Sequence, residues 1–237
     1  WFILIGWLEM KKIIFCLFMQ FLCLPALAGL QLETTRVIYS SASSSGTLTL
    51  NNTTTQNYML QTWLETADKK QSKSIPIQVV PPIMRIDAGK NATLRFIYSG
   101  RGLPDDRESL FWINTQEIPP ASDKQNVLQI AVHSRLKLFY RPKTLNTTLE
   151  DEVKKLNWSL HGNKLSVTNN GPMYISLNKL HTGRSLSERS DIEIDMIAPH
   201  STQEFNLPTS ARLSGNISFN YVNDYGGTTE VADVPLK

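Results

Sequence analysis

The chain has 237 residues, 24 Lys and Arg against 21 Asp and Glu, and a formal net charge of +3 at pH 7. So even a balance lacks the basic footprint of a nucleic-acid binder, and no nucleic-acid partner is expected. Both cysteines, Cys16 and Cys23, fall in one N-terminal apolar stretch, which leaves the remainder without a disulfide framework or a thiol nucleophile.

Residues 1–9 precede the first methionine and read as translation from upstream. From Met10 the order is Lys11-Lys12, an apolar run over 13–24, and Pro25-Ala26-Leu27-Ala28. That is the charged, apolar and A-x-A sequence of a signal peptide, placed at 10–28 and cleaved before Gly29. The apolar run falls short of the roughly 20 residues that span a bilayer. No later run approaches that length, so no membrane insertion of the mature chain is expected and its core must form without disulfides.

Strand-like runs come next at 34–39, 46–50, 58–65, 75–80, 92–98, 109–116 and 126–139, with almost no helical periodicity. Asn51-Asn52-Thr53 and Asp87-Ala88-Gly89 read as turns between them. Short strands at this spacing describe an immunoglobulin-like sandwich over residues 29–142. Trp63 would suit the buried tryptophan of such a sandwich, although no cysteine pair accompanies it.

Arg141-Pro142-Lys143 is the expected joint, because proline ends a strand and stiffens a linker. Beyond it the pattern restarts at 156–160, 164–169, 173–180, 192–197, 203–207, 216–222 and 229–234. Asn169-Asn170-Gly171-Pro172 and Asp224-Tyr225-Gly226-Gly227 are the turn signals there. Residues 143–237 form a second β-domain. The fold class is all-β.

Catalytic chemistry is poorly represented. The four histidines, His133, His161, His181 and His200, have no metal-ligand spacing, and no G-x-S-x-G elbow occurs. Gly100-Arg101-Gly102 lies in a Pro- and Asp-rich loop and is no phosphate cradle. No catalysis, cofactor or metal is expected. N-x-[ST] triplets at Asn52, Asn91, Asn146, Asn157 and Asn216 fit chance in a chain this rich in Asn, Ser and Thr.

The stretch "NVLQIAVHSRLKLFYRP", residues 126–142, is the unusual one. Leu128, Ile130 and Val132 alternate as in a strand, and the strand then turns cationic at Arg135 and Lys137. The apolar row faces either the domain's own core or another chain. Parity alone does not decide between them.

Taken in order, "DRESLFWIN…EIPP…NVLQIA…KLFYRP", with Thr35-Arg36-Val37-Ile38-Tyr39 before it and Asn223-Asp224-Tyr225-Gly226-Gly227 after it, resembles the PapD-like periplasmic chaperones of the chaperone–usher pilus pathway. The resemblance spans nearly all of the chain after Gly29. It implies two immunoglobulin-like domains set at an angle with a cleft between them, a periplasmic location, and pilus subunits and an outer-membrane usher as partners. It also implies capture by donor-strand complementation, with Leu128, Ile130 and Val132 on the lent strand. Arg36 and Lys137 match the family's anchor for a subunit's C-terminal carboxylate. The anchor and the apolar row have opposite parity, which a bulge or bend between them would reconcile.

Glu108, Arg141 and Asp224 match an ion network between the domains. The second-domain cysteine pair of many relatives is missing here, and the short segment after Pro120 resembles the branch that serves rod-like pili. The alternative reading is an exported immunoglobulin-like adhesin or pilus structural subunit. One incomplete sandwich, commonly with a cysteine pair, would be expected of it.

Overall fold

In the computed structural model, residues 29–122, 126–182, 190–207 and 215–236 are described. The signal-peptide expectation at 10–28, with Cys16 and Cys23, lies outside them.

Among the described residues nine strands build the first domain: β1 (Leu30–Leu32), β2 (Arg36–Ser40), β3 (Gly46–Asn52), β4 (Tyr58–Thr66), β5 (Ile77–Val80), β6 (Ile83–Ile86), β7 (Asn91–Tyr98), β8 (Ser109–Ile118) and β9 (His133–Arg141). They form two sheets, ordered β1-β3-β7-β5 and β2-β9-β8-β4-β6. Alternation drives the packing. In β3, Leu48 and Leu50 face inward, and Leu94, Phe96, Leu60, Ile113 and Leu138 meet them from the other strands, all almost fully buried. β2 runs parallel to β9, pairing Arg36 with Lys137 and Ser40 with Arg141.

Three expectations are corrected. Trp63 is only half-buried and lies on the outer face of its sheet, stacked on His133 at 5.3 Å, because Leu60, Thr62 and Leu64 hold the opposite parity of β4. Asn52 is the buried last residue of β3 rather than a turn residue. Its amide donates to the carbonyls of Gln56, Ile86 and Asp87 and so fastens the adjoining turn. The strand expected at 126–139 begins only at His133.

The second domain opens with a helix that sequence periodicity did not reveal, α1 (Leu149–Lys154). Thr148 caps it, accepting from the Asp151 amide, and three acidic residues occupy its first turn. Leu149 and Val153 then reach the core. The strands are β10 (Asn157–His161), β11 (Lys164–Asn169), β12 (Leu177–Thr182), β13 (Ser190–Glu193), β14 (Ser201–Asn206), β15 (Asn216–Val222) and β16 (Thr228–Pro235). They form sheets β10-β11-β14 and β13-β12-β15-β16. The buried tryptophan among the described residues is here: Trp158 packs on Phe219 at 4.9 Å, among Leu165, Val167, Met173 and Ile175.

Candidate functional site

β9 carries most of the site. Its even positions Leu136, Leu138 and Tyr140 face the sandwich core, while Lys137 and Phe139 face outward toward the second domain. The ladder from β8 to β9 runs without a shift from Ser109↔Tyr140 to Gln116↔His133. A bulge or a bend was expected to reconcile the opposite parity of Lys137 and the apolar row, and no bulge occurs within that ladder.

Arg36 is buried at the start of β2, and Nη1 donates to the Val222 carbonyl at 3.1 Å. Its Nε is buried without a partner. Beside it, Lys137 Nζ lies 3.3 Å from Ser176 Oγ and 5.8 Å from the centroid of the Trp112 ring. Both cations therefore touch the second domain. Among the described residues neither forms an ion pair with a carboxylate. Burial, then the charge of Arg36, hold the Lys137 ammonium below its ordinary range, with Asp195 opposing them. Burial likewise lowers the Arg36 guanidinium against the pull of Asp224. Two adjacent desolvated cations without a counter-ion among the described residues are suited to receive an anion.

Glu108, Arg141 and Asp224 come together from three distant parts of the chain. Arg141 Nε donates to Glu108 Oε1 at 2.6 Å, while Nη1 and Nη2 grip Asp224 at 2.6 and 2.8 Å. Glu108 Oε2 accepts from the Tyr174 amide at 2.8 Å. Thus a first-domain carboxylate and a second-domain carboxylate flank the last residue of β9. Burial raises Glu108, with Arg141 acting against it. For Arg141, burial is outweighed by the bonds to Asp224 and Glu108, and the guanidinium is held charged.

The turn that carries Asp224 is shaped by Asn223, whose Oδ1 accepts from the amides of Tyr225 and Gly227. Gly226 has φ of +84°, and a Cβ there would run into Thr35 Oγ1. Only glycine lets this turn approach β2 so closely.

Leu128, Ile130 and Val132 precede β9 and are 85%, 71% and 44% exposed. They have the parity of the core-facing residues Leu136 and Leu138. Gln129 Nε2 donates to the Pro120 carbonyl at 2.6 Å, and Leu128 and Ile130 border a shallow groove with Tyr58, Pro119 and Pro120.

Spacing alone did not point to Ser176, Val222 or Trp112, which surround the cations. Only the outward face of β9, apparent once its core-facing parity is known, leads to them.

Two sandwiches clamped at a buried ion network, with an apolar segment left exposed at the foot of the clamped strand, define a two-domain immunoglobulin-like binding protein. Residues 29–146 match the family described as pili and flagellar-assembly chaperone, PapD N-terminal domain, and residues 151–232 match pili assembly chaperone PapD, C-terminal domain. The chain belongs to the PapD family of pilus-assembly chaperones.

The probable fimbrial chaperone LpfB of Escherichia coli O157:H7 is 34% identical over 207 residues, 86% of this chain and 87% of the relative. Chaperone protein FimC of Escherichia coli K12 is 34% identical over 92% of each chain. The Escherichia coli chaperone DraB superposes with a TM-score of 0.73 at 36% identity, covering 88% of this chain and 97% of DraB. The complex of the Salmonella enterica SafA pilin with the SafB chaperone contains a chain that superposes with a TM-score of 0.76 at 28% identity, covering 89% of this chain and 98% of that one.

The protein is therefore a pilus-assembly chaperone and not an enzyme. The adhesin or structural-subunit alternative gives way to it.

Proposed function

We propose that the protein is exported to the periplasm, captures pilus subunits there by donor-strand complementation, and delivers them to an outer-membrane usher. The observation that carries this reading is the exposed row Leu128, Ile130 and Val132, which has the parity of the core-facing residues of β9 but, among the described residues, no sheet packed over it. A subunit sandwich lacking one strand would supply the missing layer. Main-chain hydrogen bonds would give affinity and the alternate side chains would fill the open groove. Each of the three side chains would contribute roughly 1.5–3 kcal/mol on burial, before ordering costs.

Arg36 and Lys137 fix the register of that capture. A subunit's C-terminal carboxylate held between them lies ~17 Å along the strand from Val132, at about 3.3 Å per residue. A slip of one residue would turn every apolar side chain of the subunit strand away from the row. Charge-assisted hydrogen bonds at one end therefore select one alignment of the apolar contacts. Glu108, Arg141 and Asp224 hold the second domain where Ser176 and Val222 can support the two cations. No cofactor enters this function.

A periplasmic extract containing the tagged protein should yield pilus subunits in one-to-one complexes, identified by mass. The same extract with Ile130→Asp should yield none. Equal recovery of subunits by both proteins would reject donor-strand capture.

A further inference from the structure

At the opposite end of β8 from the ion network lies a carboxylate that subunit capture does not use. Glu117 is only 8% exposed, yet no described Lys, Arg or His pairs with it. Its Oε2 accepts from the Leu30 amide at 3.1 Å, a contact between the two sheets, since β1 belongs to one and β8 to the other. Burial pushes the Glu117 carboxyl up, and the Leu30 amide pulls it down. Tyr58 is the titratable neighbour on the packed strand β4: its ring lies 3.8 Å from where a Cβ on Gly29 would stand.

Gly29 is wedged against this carboxylate. A Cβ at position 29 would run into Glu117 Oε2 and come within 3.5 Å of its Cδ. The approach is fixed from both sides, because the Leu30 side chain is buried in the core and Leu30 pairs with Asn52 in β3. A side chain at position 29 would have to displace the Glu117 carboxylate, so glycine is the residue that lets the first-strand backbone pack directly on it.

The geometry points to Glu117 as a receptor for the chain's own α-ammonium group, engaged when the bond between Ala28 and Gly29 is cut. This rests on the A-x-A cleavage read from the sequence and is independent of subunit capture. In the precursor the Gly29 nitrogen is a neutral amide. Hydrolysis by water leaves a carboxylate on Ala28 and an amine on Gly29, which takes a proton at neutral pH. The new cation then sits one bond from a Cα already packed on Glu117, and the buried carboxylate gains the counter-ion it lacks.

The pair would fasten β1 to the end of β8, where the Glu117 amide donates to the Val132 carbonyl at 2.9 Å. Removal of the export signal thus completes the sandwich beside the root of the apolar segment. An ordinary α-amine titrates near 7.7–8.0. Held by Glu117 it titrates higher, so the stabilisation is full below the ordinary range and lost as pH rises through the raised value.

The test uses protein purified from the periplasm, with its N-terminus read by mass. The chain should begin at Gly29, and another start overturns the proposal. At pH 7 an α-amine-selective reagent should label this protein roughly tenfold more slowly than Glu117→Gln, the change expected from one unit of pKa. A chain that retains Ala28, released from a fusion by a protease, should label at the Glu117→Gln rate. It should also unfold at lower temperature than the Gly29 chain at pH 7 but not at pH 10. Equal labelling of the wild type and Glu117→Gln overturns the assignment. So does a stability gap between the Gly29 and Ala28 chains that persists when both carry Glu117→Gln.

Discussion

Arg36 and Lys137 are register partners across a parallel strand pair, and each reaches over to a different strand or loop of the second domain. Like charges at neighbouring positions repel, and here both are also desolvated. The pair is kept because the fold holds it from both sides: β2 and β9 set the spacing, while the Val222 carbonyl and the Ser176 hydroxyl offer weak neutral partners. An anion arriving between them relieves the repulsion and replaces lost solvation.

Lys137→Ala should therefore leave a chaperone that folds and exports normally but no longer holds subunits. Loss of one side of a desolvated charge pair costs about 2–5 kcal/mol of binding. Arg36→Ala should behave alike, and the double variant should lose less than the sum, since both serve one anchor. A subunit-derived peptide with an amidated C-terminus should bind the wild type weakly and the double variant no worse than the free acid does. Calorimetry on the two peptides decides it. Equal weakening of both proteins by amidation would make these residues ordinary strand-end charges.

As part of the proposed anchor, Lys137 would also give binding a pH limit. Burial and Arg36 hold its pKa below the ordinary lysine range, so the free protein loses this charge earlier than an exposed lysine would. Because the charged form is the one that binds, affinity should be full at neutral pH and fall as pH rises through that lowered value. The decline should begin at lower pH than an exposed lysine would give and shift upward for Lys137→Arg, whose guanidinium stays protonated. The same pH profile for the wild type and Lys137→Arg would show that Lys137 does not contact the carboxylate.

The same residue marks how far the sequence could be read. Period-2 alternation located β3, β4, β7, β11 and β15 closely, because each has one face on a core. It failed at its margins for physical reasons. α1 has six residues and only a cap and two apolar contacts to announce it. β6 comes after Pro81-Pro82 and exposes Ile83, so its pattern is weak. Trp63 suits an inward position by its size alone, although the parity of Leu60 already commits the other face of β4 to the core.

At 127–131 the alternation was real, but among the described residues no strand of this chain pairs with it. Alternation reports a face suited to burial and cannot say whose core buries it. Glu108, Arg141 and Asp224 have no spacing that links them, and the family resemblance alone brought them into view.

Ile130 tests the apolar row directly. Ile130→Asp should abolish capture, because an unpaired carboxylate cannot enter a dry groove. Since Ile130 is 71% exposed in the free protein, the melting temperature should change by no more than a surface substitution changes it. A loss of several degrees would mean that the side chain is buried within its own domain.

The ion network separates orientation from stability. Glu108 has a side chain only 1% exposed, whereas Asp224 is 31% exposed. Arg141→Ala strands Glu108 in the interior without its cation and should cost about 3–5 kcal/mol of stability. Asp224→Ala leaves Arg141 bonded to Glu108 and removes the more exposed of the two carboxylates, so its cost should fall well below that of Arg141→Ala. What Asp224→Ala removes is the only ion pair between Arg141 and the second domain among the described residues. The Tyr174 amide would remain the polar tie to Glu108. Small-angle scattering should then show a wider spread of inter-domain arrangements for Asp224→Ala, while its unfolding temperature stays close to wild type. Subunit affinity should fall with that spread, because Ser176 and Val222 would no longer be held against Lys137 and Arg36. If Asp224→Ala scatters as the wild type does and binds as well, the network is a local ion pair and the domains are oriented by other contacts.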